Sequence, residues 1–135
     1  MSKLPLLILA STLLSSCLAS LQHVSARGTL MCGSKPASNV KVKLVDEDTG
    51  IDPDDDLDEG YTDQHGYFRL SGSTSEVTDI DPRLKIYHDC NDWKPCQRKW
   101  TYVIPDSYID ADVDFNLGTV NLEPEMEGEE RDCLH

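Results

Sequence analysis

Leu84-Lys85-Ile86-Tyr87-His88-Asp89-Cys90 alternates in steps of two, and this stretch decides the fold. Successive side chains of extended backbone point to opposite faces, so Leu84, Ile86, His88 and Cys90 share one face, with Lys85, Tyr87 and Asp89 on the other. Asp81-Pro82 opens the strand. An irregular loop, residues 91–95, follows it and leads into a strand over 99–104 that Pro105 stops. Upstream, Val40, Val42 and Leu44 face inward while Lys41 and Lys43 face out. Leu30 and Cys32 share a face in a first strand over 28–33, and Pro36-Ala37-Ser38-Asn39 is the turn between the two. Asp63-Gln64-His65-Gly66 joins a strand near 59–62 to one over 67–70, with Asp63 capping the turn and Gly66 supplying positive φ. Val113, Phe115, Leu117, Val120 and Leu122 form a last alternating run whose phase shifts at Gly118, the place for a bulge. No stretch carries apolar residues at helical spacing for long enough to form a helix. The chain is therefore all-β, and about seven strands in about 100 residues suit a Greek-key sandwich.

The residues between and beyond these strands are acidic. Residues 46–59 hold Pro53 and few apolar side chains, and read as a long surface loop. The tail, residues 123–135, has the composition of a disordered segment. Cys133 is its exception, since a bridge there would tie it to the body.

At the start, Lys3 precedes an apolar run over residues 4–14 that is too short to span a bilayer, and Cys17-Leu18-Ala19 has the small-x-small form a signal peptidase requires. Residues 1–19 are read as a signal peptide, 20–122 as one β-sandwich domain and 123–135 as the tail. Leu14-Ser15-Ser16-Cys17 also has the form of a lipobox, which would place lipid on Cys17. No second long apolar run follows, so no transmembrane segment is expected. Of the five cysteines, Cys17 leaves with the leader. Cys32, Cys90, Cys96 and Cys133 remain for an oxidising compartment, where two disulfides are the natural inference. Cys32 ends the first strand and Cys90 an antiparallel neighbour of the second, at the same end of the sandwich and facing inward, which favours Cys32 with Cys90 and Cys96 with Cys133. Cys32 with Cys96 and Cys90 with Cys133 is the second choice, and a local Cys90–Cys96 bridge the third. The cysteines offer no Cys-x-x-Cys pair, so no zinc site is read from them. Losing Lys3 makes the remainder one unit more negative than the −13 of the whole chain. That charge disfavours nucleic acid as a partner.

Gly28-Thr29-Leu30-Met31-Cys32-Gly33, Pro36-Ala37, the strand from Val40 and Thr62-Asp63 with Gly66 and Phe68 resemble the opening half of transthyretin-like domains. Leu70-Ser71-Gly72, Glu76-Val77, Ile80-Asp81-Pro82, the stretch from Leu84 to Cys90, Pro95-Cys96 and Ile104-Pro105 follow in the order of the nematode transthyretin-like family. The resemblance spans residues 28–122 and implies a secreted transthyretin-like Greek-key sandwich. Most members of that family have no established molecular activity. At least one is described as bridging phosphatidylserine on dying cells to an engulfment receptor, and others are linked to the nervous system. The chain ends Arg131-Asp132-Cys133-Leu134-His135, without the C-terminal Tyr-Arg-Gly-Ser that accompanies 5-hydroxyisourate hydrolysis on this fold.

Three local clusters bear on function. His88 beside Cys90 looks like a nucleophile and its base, but a disulfide-bonded Cys90 offers no thiolate. Asp52, Asp54, Asp56 and Asp58 suggest a calcium loop, yet Leu57 and Asp63 stand where an EF-hand needs Gly and Glu. Trp93, Lys94, Arg98 and Lys99 form a basic and aromatic patch on an acidic chain, the candidate partner surface. No catalytic residue, metal or cofactor is expected, and no N-glycosylation sequon occurs. The expected function is a secreted, non-enzymatic module that binds or bridges an extracellular protein or cell-surface lipid. A structural or cuticle-associated protein is the alternative from another class, and an unrecognised hydrolase is the third. N-terminal sequencing of secreted material should read from Ser20 or a residue beside it. Lipid on a retained Cys17 would overturn that cleavage site.

Overall fold

Alternation turns into nine strands among the residues that the computed structural model describes, 19–47 and 55–135. The expected leader, apart from Ala19, and residues 48–54 of the acidic stretch lie outside them. In chain order the strands are β1 (Ser20–Cys32), β2 (Lys35–Pro36), β3 (Lys41–Asp46), β4 (Asp55–Tyr61), β5 (Tyr67–Glu76), β6 (Pro82–His88), β7 (Gln97–Val103), β8 (Phe115–Asn121) and β9 (Glu130–Asp132). A 3-10 turn at Asp106–Tyr108 follows Pro105. One sheet is built on β1, which pairs antiparallel with β5 and β2 and parallel with β8. The other runs β4-β3-β6-β7-β9 and is antiparallel throughout. Val24, Ala26 and Leu30 of β1 and Phe68 and Leu70 of β5 form one core with Val42 and Leu44 of β3, Leu84 and Ile86 of β6 and Trp100 of β7. Each buried Val, Leu, Ile or Phe side chain contributes about 1.5–3 kcal/mol, so this inner layer is the main source of stability.

Two glycines take up backbone positions that side chains rarely tolerate. Gly66 has φ +81°, and a Cβ there would lie 2.1 Å from the Leu30 carbonyl oxygen. Asp63 closes the same turn, its Oδ1 accepting from the backbone N–H of His65 at 2.8 Å and of Tyr67 at 3.0 Å. Gly118 has φ +82°, and the β1–β8 register shifts between Arg27 and Thr29, so the bulge falls in the run where the phase changes.

Four segments differ from the sequence reading. First, β1 begins at Ser20, not near 28. Val24 and Ala26 point into the core, but the buried polar residues Gln22 and Ser25 interrupt the apolar pattern. Gln22 is satisfied at both ends of its amide, donating to Thr78 O at 2.8 Å and accepting from the Ile80 N–H at 3.0 Å. Second, the acidic stretch is a strand from Asp55 onward. Lys41 and Lys43 of β3 lie 3.4 Å from Glu59 and 3.5 Å from Asp56, and these cross-strand pairs offset the poor strand propensity of the acids. Leu57 packs on the core from the same strand. Third, Val113 is 65% exposed and precedes β8. Fourth, the acidic tail is folded: β9 pairs with β7, Met126 packs on the core, and His135 stacks on Tyr87 with ring centroids 4.2 Å apart.

Arg98, on the inner face of β7, explains the folded tail. Its Nη1 donates to Cys90 O and Leu122 O, both at 2.9 Å, and its Nη2 to Pro124 O at 2.8 Å. Its Nη2 and Nε also reach the Glu129 carboxylate at 2.7 and 3.0 Å, and Trp100 Nε1 donates to the same group. The two side chains are 6% and 11% exposed. The Arg98 hydrogen bond holds the Glu129 carboxyl below its ordinary range against the opposing effect of burial. Glu129→Gln strands a buried guanidinium and should lower stability by about 3 kcal/mol or more. Glu130→Gln removes a 3.8 Å pair from a side chain that is 70% exposed and should cost less than about 1 kcal/mol. Urea midpoints of the two variants test this; equal midpoints would mean that Arg98 does not hold the tail.

Candidate functional site

Between β6 and β7 the chain makes a loop, residues 89–96, whose two ends are covalently tied. Cys90 is bonded to Cys32 and Cys96 to Cys133, with Cα atoms 5.7 and 4.5 Å apart. Asn91 at φ +49° and Cys96 at φ +67° occupy the left-handed region, where Asn is tolerated and Cys is uncommon. Arg131, brought in by β9, holds the loop from beneath. Its Nη2 donates to Asp92 Oδ2 at 2.7 Å, Pro95 O at 2.9 Å, and Lys94 O and Cys96 O at 3.2 Å. Asp92 Oδ1 in turn accepts from the Lys94 N–H at 3.2 Å, and the Arg131 hydrogen bond holds the Asp92 carboxyl below the usual carboxylate range. Gln97 Nε2 donates to Asp89 Oδ2, and Asn91 Nδ2 to Glu123 Oε2, both at 2.9 Å. On this fixed loop Trp93 is 86% exposed.

The expected patch of Trp93, Lys94, Arg98 and Lys99 is dispersed by this geometry. Trp93 and Lys94 stand on the loop. Arg98 points inward, 5% exposed and neutralised by Glu129. Lys99 lies on the outer face of β7, where its Nζ is 3.8 Å from both Glu130 and Asp132. Trp100 is core. Adjacent strand residues face opposite ways, so a run of cations that continues into a strand cannot form one surface.

Two hollows adjoin the loop. One, of about 240 Å³, is lined by Trp93, Lys94, Glu123 and Glu125 with the paired groups Asp92–Arg131 and Arg98–Glu129. Glu123 and Glu125 were invisible as site residues because the tail carries no pattern that places it here. The other, of about 320 Å³, is lined by the Cys32–Cys90 bridge, residues 36–40, Tyr87, His88 and Gln97. His88 is 1% exposed, and its Nδ1 accepts from the Cys90 N–H at 3.1 Å, which leaves the ring proton on Nε2. That nitrogen has no hydrogen-bond partner among the described residues, and the ring meets Trp100 edge-on at 5.4 Å. Burial, and then the Arg98 charge, push its pKa down to about 4. His88 is a neutral core residue beside an oxidised cysteine, and the pair has no nucleophile.

Of the four aspartates in the calcium-like spacing, Asp52 and Asp54 lie outside the described residues. Asp56 pairs with Lys43, and Asp58 accepts from the backbone N–H groups of Ser71 and Glu59. Asp46, Asp55 and Glu76 instead bring carboxylates within 4.8 Å of one another, although Asp46 Oδ1 already accepts from the Asp81 N–H. Among the described residues no helix is long and apolar enough to cross a membrane.

Residues 27–105 match the model of the Transthyretin-like family. Transthyretin-like protein 33 of Caenorhabditis elegans is 55% identical over 119 residues, 84% of this chain and 83% of that one. Transthyretin-like protein 5 of the same organism is 51% identical over 119 residues, 84% of this chain and 86% of that one. Transthyretin-like protein 46, also of Caenorhabditis elegans, is 46% identical over 99% of this chain and 78% of its own length.

His88 makes the domain acid-sensitive with a definite sign. Its folded pKa of about 4 lies below the ordinary 6.5, so its contribution is fully present above pH 6.5 and is lost as pH falls toward 4. The loss should be on the order of 2 kcal/mol, somewhat less than the full shift at ~1.4 kcal/mol per unit. Arg98, Glu129, Asp89 and Asp92 surround it, so the measurement is a difference: urea midpoints of wild type and His88→Gln from pH 7 to 4.5. The two curves should converge on acidification. Parallel curves would show that His88 titrates normally.

Proposed function

The chain belongs to the Transthyretin-like family, and from that membership we propose that it is a secreted, non-enzymatic module that binds a protein partner at a cell surface through the β6–β7 loop. Trp93 carries the reading. A tryptophan 86% exposed on a loop held by two disulfides and one arginine presents a large apolar face whose ordering cost has been met by folding. Exposed, rigid tryptophans of this kind are where binding energy concentrates. Export is supported by the four cysteines Cys32, Cys90, Cys96 and Cys133, which form two disulfides.

The hydrolase alternative would have to rest, among the described residues, on the serines gathered around His23. Ser25 Oγ lies 3.0 Å from His23 Nε2, and Ser73 Oγ lies 3.3 Å from His23 Nδ1. Ser25 Oγ also bonds Ser71 Oγ at 2.9 Å, and Ser71 Oγ lies 3.4 Å from the same His23 nitrogen, so the imidazole is shared by a network of hydroxyls and is not dedicated to one nucleophile. The network lines neither hollow.

The test is binding of fluorescently labelled secreted protein to intact cells. Trp93→Ala should reduce binding at least tenfold, the scale of a hot-spot residue, with unchanged thermal stability. Undiminished binding would remove the loop from the partner surface. Recovery of the wild type only from insoluble matrix would favour the structural alternative.

A further inference from the structure

We infer that the hollow beside Trp93 receives a cationic side chain, arginine or lysine, from a basic segment of the protein partner. This deepens the reading of the β6–β7 loop as the binding surface and rests on it. Four carboxylates line the hollow, and two are spent: Asp92 on Arg131 and Glu129 on Arg98, each at 2.7 Å. Among the described residues the Glu123 carboxylate meets only amide donors, Asn91 Nδ2 at 2.9 Å and Asn121 Nδ2 at 3.3 Å. Glu125 is exposed and has no ion pair among the described residues, and the Lys94 ammonium has none either. Two carboxylates without a cation therefore face one lysine across a cavity of about 240 Å³, with the exposed indole of Trp93 as one wall.

An aromatic face next to carboxylates is the chemistry that recognises a guanidinium or ammonium group. The ring attracts the cation through its quadrupole, and the carboxylates accept charge-assisted hydrogen bonds. The field of the whole protein has the same sign. A chain of net charge −13 that sheds a leader containing Lys3 draws basic surfaces toward it and repels anionic ones. An anionic head group entering the hollow would have only Lys94 to meet and would be repelled by Glu123 and Glu125.

The sign of a Lys94 substitution separates these cases. The secreted protein is titrated with a hexa-arginine peptide, and separately with vesicles of phosphatidylcholine and phosphatidylserine, following the Trp93 indole N–H resonance. Hexa-arginine should shift that resonance. Glu123→Gln with Glu125→Gln should weaken its binding roughly tenfold, as loss of charge-assisted bonds does. Lys94→Gln should strengthen it about twofold by removing an exposed like charge. Equal binding by wild type and the double variant would reduce the attraction to net charge and overturn the inference. So would weakening by Lys94→Gln, or vesicles shifting the resonance where hexa-arginine does not. If Trp93→Ala abolishes cell-surface binding while the double variant retains it, the loop remains the partner surface and only the cationic chemistry is wrong.

Discussion

The buried pair of Arg98 and Glu129 is the interaction on which the rest of the molecule depends. A guanidinium that is 5% exposed has to be fully satisfied, and here it collects the carbonyl groups of Cys90, Leu122 and Pro124 as well as the Glu129 carboxylate. Those acceptors come from the start of the β6–β7 loop, the residue after β8 and the tail, so one side chain ties three segments at one end of the sandwich. Such a pair adds little net stability compared with an apolar core, because both charges give up water. Its consequence is positional. With Glu129 held, β9 pairs with β7, Arg131 reaches the β6–β7 loop, and Cys133 meets Cys96.

The acidic excess has an architectural role alongside its effect on solubility. On the outer face of the five-stranded sheet, Lys41, Lys43, Lys85 and Lys99 occupy the central strands, while Asp56, Glu59, Glu130 and Asp132 occupy the edges. Lys43 and Lys85 are directly opposed, an arrangement that costs energy between like charges and is offset by acids on both flanks. Short, charged edge strands also discourage edge-to-edge pairing with another chain. Acid-rich segments that would be poor strands in isolation thus become the borders of the sheet.

At the site, stability and recognition share the same residues. The Cys32–Cys90 bridge, the neutral His88 and the Arg98 carbonyl contacts hold the base of the loop, and Arg131 holds its middle. Trp93 stands in water on a backbone tied near both ends by disulfides and at its middle by Arg131.

Periodicity in the sequence determined the strands of the core, since Val42, Leu44, Leu84 and Ile86 alternate cleanly with charged residues and each strand buries one face. Local stereochemistry determined the turn at Gly66 and the bulge at Gly118, which need only their own φ and their neighbours. Cysteine count and the family motifs pointed to two bridges on a transthyretin-like sandwich. Only the tertiary structure decided that Ser20 begins β1, that Asp55 lies in a strand, that the tail is ordered, and that Arg98 turns inward while Trp93 and Lys94 remain outside. These outcomes rest on partners distant in the chain: Thr78 and Ile80 for Gln22, Lys43 for Asp56, Glu129 for Arg98 and Arg131 for Asp92. Hydrophobic alternation is written along the chain, whereas the pairing of a buried or edge charge depends on which remote segment folding brings beside it.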